Sequence, residues 1–416
     1  MSWFSELLEY LGGAPEPPSP DEREEFALRL KTLLQTLGHP VRMDMEEFSF
    51  VHQTDSQVSF LHNHYEAWSA LPTEEREGGL IRAAESIVTL SAKTELPKAY
   101  DEAAPNLLVR MRPLAHLAAL RIDMKVRGAE VELDLASLPV GAHLGAQLVF
   151  DTPATIIQFP RSQVVDWGVQ LETCFERARK NLVALNPNPF IRVTDGVYAS
   201  DEGDCYDSAR ILLTEQIASL PVQGRPIALP ANRDTLLLTG EHDEQGLHIL
   251  LEAAVAATKT PRLDTLRLLV LDDGEWSEWL PPPDHALHAE WVELAIRTTG
   301  SGYAEVRDKL GRLHEAQDED VFIAKFGAME IEGVLHSYAV WPPIPTLLPQ
   351  ADLIIMPVSE DPEEGFVHLR WHDVVALAGD LLERVPHLEP PFWQTTGHPT
   401  TDRLEALRAV DIPLSR

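Results

Sequence analysis

Oppositely charged side chains are grouped in two short segments near the middle of the chain. The first segment, Asp204–Leu213, reads DCYDSARILL, so that Arg210 follows Asp207 by three residues. The second is Asn232–Asp234, with Arg233 between an amide and a carboxylate. Arginine and carboxylate side chains form short, charge-assisted hydrogen bonds. We therefore expect a buried network that fixes a helix to a strand or, alternatively, a cleft that binds a carboxylate or a peptide.

The same two segments supply most of the side chains that we consider for ligand binding. Of the two interpretations we favour the structural network. Two further candidates are tryptophans in an acidic loop, because tryptophan provides large contact area at protein interfaces. The binding candidates are Asp204, Tyr206, Asp207, Arg210, Asn232, Arg233, Asp234, Trp276 and Trp279.

Clusters of potential metal ligands occur, but their spacing does not complete a site. Ca²⁺ requires oxygen ligands at regular offsets that close with a bidentate glutamate. That ladder is not followed by Asp201, Glu202, Asp204 and Asp207. His62 and His64 have the spacing of two zinc ligands on one face of a strand, without a third ligand at a telling offset. His285 and His288 lack an H-E-x-x-H pattern, and we predict no metal and no cofactor.

Signatures of nucleophilic catalysis and nucleotide binding are also missing. The chain has no G-x-S-x-G, no G-x-x-x-x-G-K-[ST] and no G-x-G-x-x-G after a strand. Cys174 lies between Glu172 and Glu176, whose negative charges disfavour a thiolate. Cys205 lies beside the acidic residues of its own segment. We therefore assign no catalytic residue and favour a protein that is not an enzyme.

Composition limits the classes of partner. The chain has 66 Asp and Glu against 34 Lys and Arg, a formal net charge of −32, with 44% hydrophobic residues. This is the composition of a folded protein, and its charge repels phosphate backbones and anionic lipid. We expect no nucleic-acid partner and a surface whose acidity serves solubility.

Cysteine content and hydropathy bear on location. Two cysteines cannot build a disulfide framework or a four-cysteine zinc site. The N-terminus has acidic residues within its apolar run and no basic region, so a signal peptide is not expected. The best apolar run, Leu250–Ala257, is far shorter than a membrane span. We expect a cytoplasmic protein without membrane insertion.

The elements around these residues indicate an α+β fold with mixed or antiparallel sheets packed by helices. Residues 1–20 comprise an amphipathic helix, Ser2–Leu11, and a proline-rich linker. We expect this helix to dock on its own protein, and docking on a partner is the alternative. An α+β domain is predicted over 21–258 and a second one over 259–416, with the boundary at Lys259–Arg262.

Local patterns place the candidates on specific elements. We predict a helix over Tyr206–Leu220 and a strand over Ile227–Thr239. We assign Asn232, Arg233 and Asp234 to the start of this strand. Segment 41–52 indicates one bulged strand, and Gln57–Tyr65 a second strand that carries the paired histidines. Further predicted elements are a hairpin over Gln147–Phe159 and helices over Thr73–Leu90, Val169–Leu185, Glu244–Thr258, Asp284–Arg297 and Gly302–Glu315. Segment 97–145 shows no strong helix.

Two of these segments resemble a known bacterial family. The YtpQ-like family, whose function is unknown, has a similar D-x-Y-D-[AS]-x-R-I-L segment and a later apolar-P-x-x-[RQ]-D-x-L strand. Here they correspond to Asp204–Leu212 and to the strand that contains Arg233 and Asp234. The resemblance covers roughly residues 25–258, includes a helix–strand–strand–helix opening, and implies no activity.

These observations favour a cytosolic bacterial protein that binds another protein without catalysis, as an adaptor does. The alternative is a small-molecule enzyme, hydrolase-like, that uses a cleft between Asp204–Arg210 and Asn232–Asp234. Convergent placement of these side chains around a concavity would favour the enzyme. Their complete burial in mutual pairs would favour the binding protein.

Overall fold

The computed structural model describes residues 20–45, 48–53, 58–69, 71–91, 96–126, 134–152, 156–258, 263–357 and 365–412. The predicted helix Ser2–Leu11, the linker before Pro20 and the predicted boundary Lys259–Arg262 lie outside these ranges. Helices and strands alternate irregularly, and the sheets are antiparallel or mixed. The predicted α+β class is therefore confirmed.

The helices follow the chain in this order: α1 (Pro20–Thr36), α2 (His62–Ser69), α3 (Arg76–Ser91), α4 (Tyr100–Ala103), α5 (Leu114–Val126), α6 (Arg161–Asp166), α7 (Leu171–Leu185), α8 (Thr214–Ala218), α9 (Glu244–Ala257), α10 (His288–Gln317), α11 (Trp371–Ala378) and α12 (Thr401–Arg408). Short 3₁₀-helices cover Thr73–Glu75, Ala104–Asn106, Ser208–Leu212 and Gly379–Leu381.

The strands are β1 (Val41–Asp44), β2 (Ser49–His52), β3 (Val58–Phe60), β4 (Leu107–Pro113), β5 (Ser137–Val140), β6 (Leu144–Asp151), β7 (Ile156–Gln158), β8 (Ile191–Thr194), β9 (Val197–Ser200), β10 (Pro226–Asn232), β11 (Thr235–Gly240), β12 (Leu268–Asp272), β13 (Glu275–Trp279), β14 (Phe322–Ile323), β15 (Gly327–Ile331), β16 (Val334–Val340), β17 (Thr346–Pro349), β18 (Leu353–Pro357), β19 (Phe366–Arg370), β20 (Leu382–Arg384) and β21 (Phe392–Thr395).

The first helices pack on a small antiparallel sheet of β1, β2 and β3. The single bulged strand predicted over 41–52 is wrong, because β1 and β2 are separate strands and Val41 pairs with His52. The apolar side chains of both strands face one core with those of α1 to α3. Alternation alone does not distinguish a bulge from a reversal, since both keep the same residues on the inner face.

The two histidines after β3 lie on a helix and not on a strand. The predicted strand Gln57–Tyr65 ends at Phe60, and α2 begins at His62. The expectation that these two histidines share one face of a strand is therefore wrong. Tyr65 and Trp68, spaced three residues apart, are buried and set the helical period.

Two central sheets share one hydrophobic core. In the first sheet β6 lies between β4 and β5 and also pairs with β7, which confirms the predicted hairpin around Asp151. The second has the order β13-β12-β10-β11-β9-β8. The expectation of no strong helix in 97–145 is wrong, because α5 occupies Leu114–Val126. Its buried face contains three alanines, Ala115, Ala118 and Ala119, which give a weak apolar pattern.

The second central sheet contains strands from both sides of residues 258 and 259. Strand β12 pairs antiparallel with β10, through Ile227 with Val270 and Ala228 with Leu269. The indole Nε1 of Trp276, on β13, donates to the carbonyl oxygen of Ile211 at 3.0 Å. The predicted division at 259 therefore falls between strands of one hydrogen-bonded sheet.

Helix α10 joins this region to the C-terminal sheets. The two helices predicted over Asp284–Arg297 and Gly302–Glu315 are one continuous helix. At Gly302 an added Cβ would lie 3.0 Å from the Cβ of Ala115, so the glycine permits close approach of α5. The C-terminal sheets have the orders β14-β17-β21-β20 and β15-β16-β18-β19. None of the helices that the structure describes has the length and hydropathy of a membrane span.

The shared sheet makes a prediction about fragments. A protein that ends at residue 258 would lack β12 and leave the hydrogen-bonding edge of β10 and its apolar neighbours exposed. We expect this fragment to lose the cooperative thermal transition and the near-ultraviolet circular dichroism of the full chain. Independent, cooperative unfolding of the fragment would instead support a domain boundary at 259.

Candidate functional site

The acidic segment and the arginine that follows it form a closed, buried network. The predicted helix Tyr206–Leu220 is wrong as a single element, because a 3₁₀-helix over Ser208–Leu212 is followed by the short α8. Arg210 and Asp207 are both fully buried. Arg210 Nη1 donates to Asp207 Oδ1 at 3.0 Å. Its two terminal nitrogens also contact the two carboxylate oxygens of Asp204, at 3.0 and 2.5 Å.

Asp207 also holds the loop that precedes it. Its Oδ1 accepts from the Ser200 hydroxyl at 2.6 Å and from the backbone N–H of Glu202 at 2.9 Å. Its Oδ2 accepts from the backbone N–H of Gly203 at 3.0 Å. Together with Arg210 these donors replace the water that the buried carboxylate has lost. The contacts of Asp207 and Arg210 are therefore those of a structural network.

The second charged segment is a hairpin turn and not the start of a strand. The strand predicted over Ile227–Thr239 is two antiparallel strands, β10 and β11, with Arg233 and Asp234 between them. Asn232 Oδ1 accepts from the backbone N–H of Asp234 at 2.9 Å, a side chain-to-backbone bond typical of tight turns. Because an apolar strand continues on each side of this turn, the sequence pattern reads as uninterrupted.

Arg233 is not part of the Asp207 network. Its Nε donates to Asp234 Oδ2 at 2.9 Å, and both side chains are partly exposed. The hairpin turn joins the first segment through its backbone, since Ser208 N–H donates to the Arg233 carbonyl at 3.2 Å. The two segments thus lie together as expected, but the contact between them does not use the arginine side chain.

The aromatic candidates are less exposed than expected. Tyr206 is buried, and burial followed by the negative charge of Asp151 raises the pKa of its hydroxyl. Trp276 is 9% exposed and packs in the central core, so its interpretation as a surface residue of an acidic loop is wrong. Trp279 is half-buried at the end of edge strand β13. Alternation along β13 turns Trp276 inward.

Three arginines lie beside these segments, and two of them were missed from the sequence. Arg110 and Arg112 follow each other at a spacing of two on β4 and thus share a face of its sheet. We call Arg110, Arg112 and Arg233 the arginine cluster. The charges of Arg112 and Arg233 both act on Arg110. The R-x-R pattern within an apolar strand was the available signal.

Arg110 is the exceptional member of the arginine cluster. Burial, together with the positive charges of Arg112 and Arg233, lowers its pKa to about 10. Its Nε is shielded from solvent and has no hydrogen-bond acceptor among the described residues. It makes no ion pair with a carboxylate of the described ranges. Arg110 is partly exposed, and its shielded Nε has no partner in the described part of the chain, although the charges of Asp151 and Asp264 interact with its guanidinium at longer range.

Asp264 is a second unusual group close to this cluster. It is 5% exposed, and its Oδ2 has no hydrogen-bond donor in the described part of the chain. Burial raises its pKa to about 7, against the opposing effects of Arg112, the Ser208 hydroxyl and Arg110. Its backbone N–H donates to the Ala231 carbonyl at 2.8 Å, which anchors it beside the end of β10. Sequence reasoning missed Asp264 because no motif surrounds it.

Metal and thiol chemistry find little support in the described side chains. No three His, Cys, Asp or Glu residues of the described ranges come together in a way that could hold a metal ion. Burial raises the pKa of Cys174 to about 11, so its environment disfavours the thiolate by desolvation. Cys205 is partly exposed, with a left-handed backbone φ of 69°. The predicted absence of a bound metal or cofactor stays a prediction.

Comparison with known protein families, curated proteins and solved structures finds no significant match to this chain. The resemblance to the YtpQ-like family therefore stays a hypothesis that depends on the two quoted segments. Any function has to be argued from the side chains themselves.

The buried network predicts a large effect of removing Arg210. Arg210→Ala leaves Asp207 buried without its cationic partner, and we expect the free energy of unfolding to fall by about 3 kcal/mol or more. Arg233→Ala is the matched control, because its ion pair is partly exposed and is expected to contribute about 1 kcal/mol or less. Denaturant unfolding measures both. Equal losses in the two variants would contradict the structural role of Arg210.

Asp264 predicts a pH-dependent stability. Since its folded pKa, about 7, lies above the unfolded value of about 3.9, the folded state holds a proton that the unfolded state has released. Its contribution to stability is therefore complete at low pH and is lost as pH rises toward 7. We expect Asp264→Asn to gain about 2–3 kcal/mol relative to the native protein between pH 5 and pH 8. Exposed Asp166→Asn is the control, and parallel pH profiles for native protein and Asp264→Asn would refute the assignment.

Proposed function

We propose that this protein is a non-catalytic binding protein, acting on another protein in the cytoplasm, and that Arg110 receives a carboxylate of that partner. The supporting observation is the buried Nε of Arg110 without an acceptor or an ion-pair partner among the described residues. A buried guanidinium without an anion is unfavourable. A carboxylate supplies two acceptors in the geometry of the guanidinium fork.

The surroundings of Arg110 favour an anion presented from outside the protein. Arg112, Arg233 and Cys205 are each partly exposed, so a group approaching this surface can reach the arginine cluster. The cluster also adds positive charge that stabilises a bound carboxylate. A side-chain carboxylate or a chain terminus of a partner satisfies this arrangement.

The net charge of the chain narrows the kind of partner. At −32 the protein repels a free anion at long range. A partner whose carboxylate is surrounded by basic residues is attracted at long range, and its carboxylate is then captured locally. Electrostatic complementarity of this kind sets specificity and association rate more than affinity. We therefore propose a basic partner with one acidic contact residue or an accessible C-terminus.

The hydrolase-like alternative loses its main motivation. It required Asp207 and Arg210 to line an open cleft, whereas both side chains are buried and bonded to each other. Complete burial of both charged segments in mutual pairs was the outcome that we associated with a binding protein. Asp207 and Arg210 meet this criterion, whereas Asp204, Arg233 and Asp234 are partly exposed. The same proposal includes membership of the YtpQ-like family. It also includes the expectation that the protein has no nucleic-acid partner.

Arg110 predicts opposite effects of one substitution on stability and on binding. Arg110→Met removes a partly exposed guanidinium whose shielded Nε has no acceptor among the described residues, and we expect the midpoint of thermal unfolding to rise when the partner protein is absent. The same variant should capture the partner at least tenfold more weakly, since a charge-assisted hydrogen bond contributes about 1.5–3 kcal/mol. Partner capture from a bacterial lysate, quantified by mass spectrometry, is the measurement. Arg82→Met, at an exposed arginine of α3, is the control.

Two outcomes would argue against this proposal. Partner proteins retained equally by the native chain and Arg110→Met would place the interface elsewhere. A fall in the unfolding midpoint of Arg110→Met would show that Arg110 is already compensated within the protein. Succinate serves as a small carboxylate probe of the site. A rise in the thermal unfolding midpoint of the native chain on addition of succinate, with no such rise for Arg110→Met, would support the proposal.

A further inference from the structure

A small cavity adjoins Asp264, and it is separate from the carboxylate site because Arg110 does not line it. The cavity has a volume of about 170 Å³ and lies between the end of β4, the turn after β5 and the middle of α10. Its apolar wall includes Pro113, Leu114 and Pro390. We call it the Asp264 cavity.

The polar lining of the Asp264 cavity presents hydrogen-bond acceptors. Asp264, Glu305 and Glu389 contribute carboxylates. Glu305 already contacts His116 Nδ1 at 3.1 Å, and Glu389 accepts from Arg384 at 2.6 Å. Asp264 Oδ2, by contrast, is buried without a donor among the described residues. Of the three carboxylates, the one with an oxygen that lacks a partner is therefore that of Asp264, which is 5% exposed.

The hydroxyl groups of the cavity have their own donors occupied. Thr298 and Thr299 donate to the carbonyls four residues earlier, both at 2.9 Å, and Ser301 does so at 3.0 Å. The Thr298 and Thr299 oxygens also accept hydrogen bonds, from the Leu266 N–H at 3.2 Å and from Arg267 Nη2, so each of these two hydroxyls has one lone pair left for the cavity. Burial and the charge of Arg267 lower the pKa of His143 to about 3, so this ring is neutral. The lining contains no lysine or arginine.

We propose that the Asp264 cavity binds a primary ammonium group, carried by a small alkylamine or by the amine end of a larger ligand, with the carboxylate of Asp264 as its anchor. A primary ammonium has three donors and no acceptor, which suits a lining whose polar groups are mainly acceptors, with one N–H donor on neutral His143. The volume corresponds to about six water molecules and admits a short alkyl chain against the proline and leucine wall. The inference does not depend on the proposed function at Arg110.

Charged groups around Asp264 make this binding pH-dependent. Arg110 and Arg112 on β4 favour its ionised form, Asp234 of the hairpin turn opposes it, and Glu305 and Glu389 face the cavity. Burial nevertheless keeps the pKa of Asp264 near about 7. A ligand ammonium, whose pKa is about 10, stays charged as Asp264 ionises. Affinity should therefore increase about tenfold between pH 6 and pH 8.

Isothermal titration calorimetry of the full-length chain with propylammonium and tetramethylammonium tests the proposal. We expect saturable, equimolar binding of propylammonium and at least tenfold weaker binding of tetramethylammonium, which has no N–H donor. Asp264→Asn should weaken propylammonium binding at least tenfold, and exposed Asp166→Asn should leave it unchanged. Ala142→Leu, which fills the cavity from its rim without altering Asp264, should also weaken it.

Three results would overturn the proposal. They are absence of saturable propylammonium binding at pH 8, equal affinity for the two cations, and binding that survives both Asp264→Asn and Ala142→Leu. Circular dichroism of each variant confirms that it is folded. Asp264→Asn removes the charge of the proposed anchor, and Ala142→Leu reduces the volume of the cavity. If one variant does not fold, the other still tests the proposal.

Discussion

The buried carboxylate of Asp207 is the constraint on which the candidate site depends. It accepts hydrogen bonds from Ser200, Glu202, Gly203 and Arg210, and these donors lie on β9, on the acidic loop and on the 3₁₀-helix. Releasing any one of them would leave part of a buried charge unsatisfied. The loop is thereby fixed in a conformation that turns Tyr206 into the core and leaves Cys205 at the surface near Arg110.

Two largely buried arginines in this chain have opposite electrostatic environments. Arg210 contacts two carboxylates, and every one of its contacts lies within a few residues in sequence. Arg110 has two other arginines near it and no ion pair with a described carboxylate. Since both occur in a strongly acidic protein, the absence of an ion pair at Arg110 among the described residues is not explained by a shortage of carboxylates. A guanidinium that has no ion pair and lies near two other arginines is unfavourable for stability, and it is suited to binding an external anion.

Elements with a strong helical period were predictable from the sequence. The segments that became α3, α7 and α9 agree with their predicted ranges to within a few residues, because their apolar spacing and helix-start signals point to the same structure. The pairing of Arg210 with Asp207 was also accessible, since a spacing of three residues brings two side chains together locally.

The remaining features depend on contacts that are distant in sequence. The turn at Arg233 was read as part of a strand because its flanks are apolar on both sides. Helix α5 was missed because three of its five buried residues are alanines. Trp276 appeared exposed because its partner, the Ile211 carbonyl, lies 65 residues away. Arg110 and Asp264 are about 150 residues apart in sequence, so only tertiary structure shows that they are neighbours.

The pairing of β12 with β10 links the two proposed sites. Asp264 lies in the connection that leads into β12, and its N–H is bonded to the end of β10, so the sheet holds it near the arginine cluster on β4. Arg110 lowers the pKa of Asp264. An anion that neutralises Arg110 removes this effect and raises the pKa of Asp264, which weakens the interaction of Asp264 with an ammonium group.

By thermodynamic reciprocity, an ammonium group bound to Asp264 reduces the affinity for that anion by the same factor through this route. Direct attraction between the two ligands acts in the opposite sense, and the balance depends on how far apart they bind.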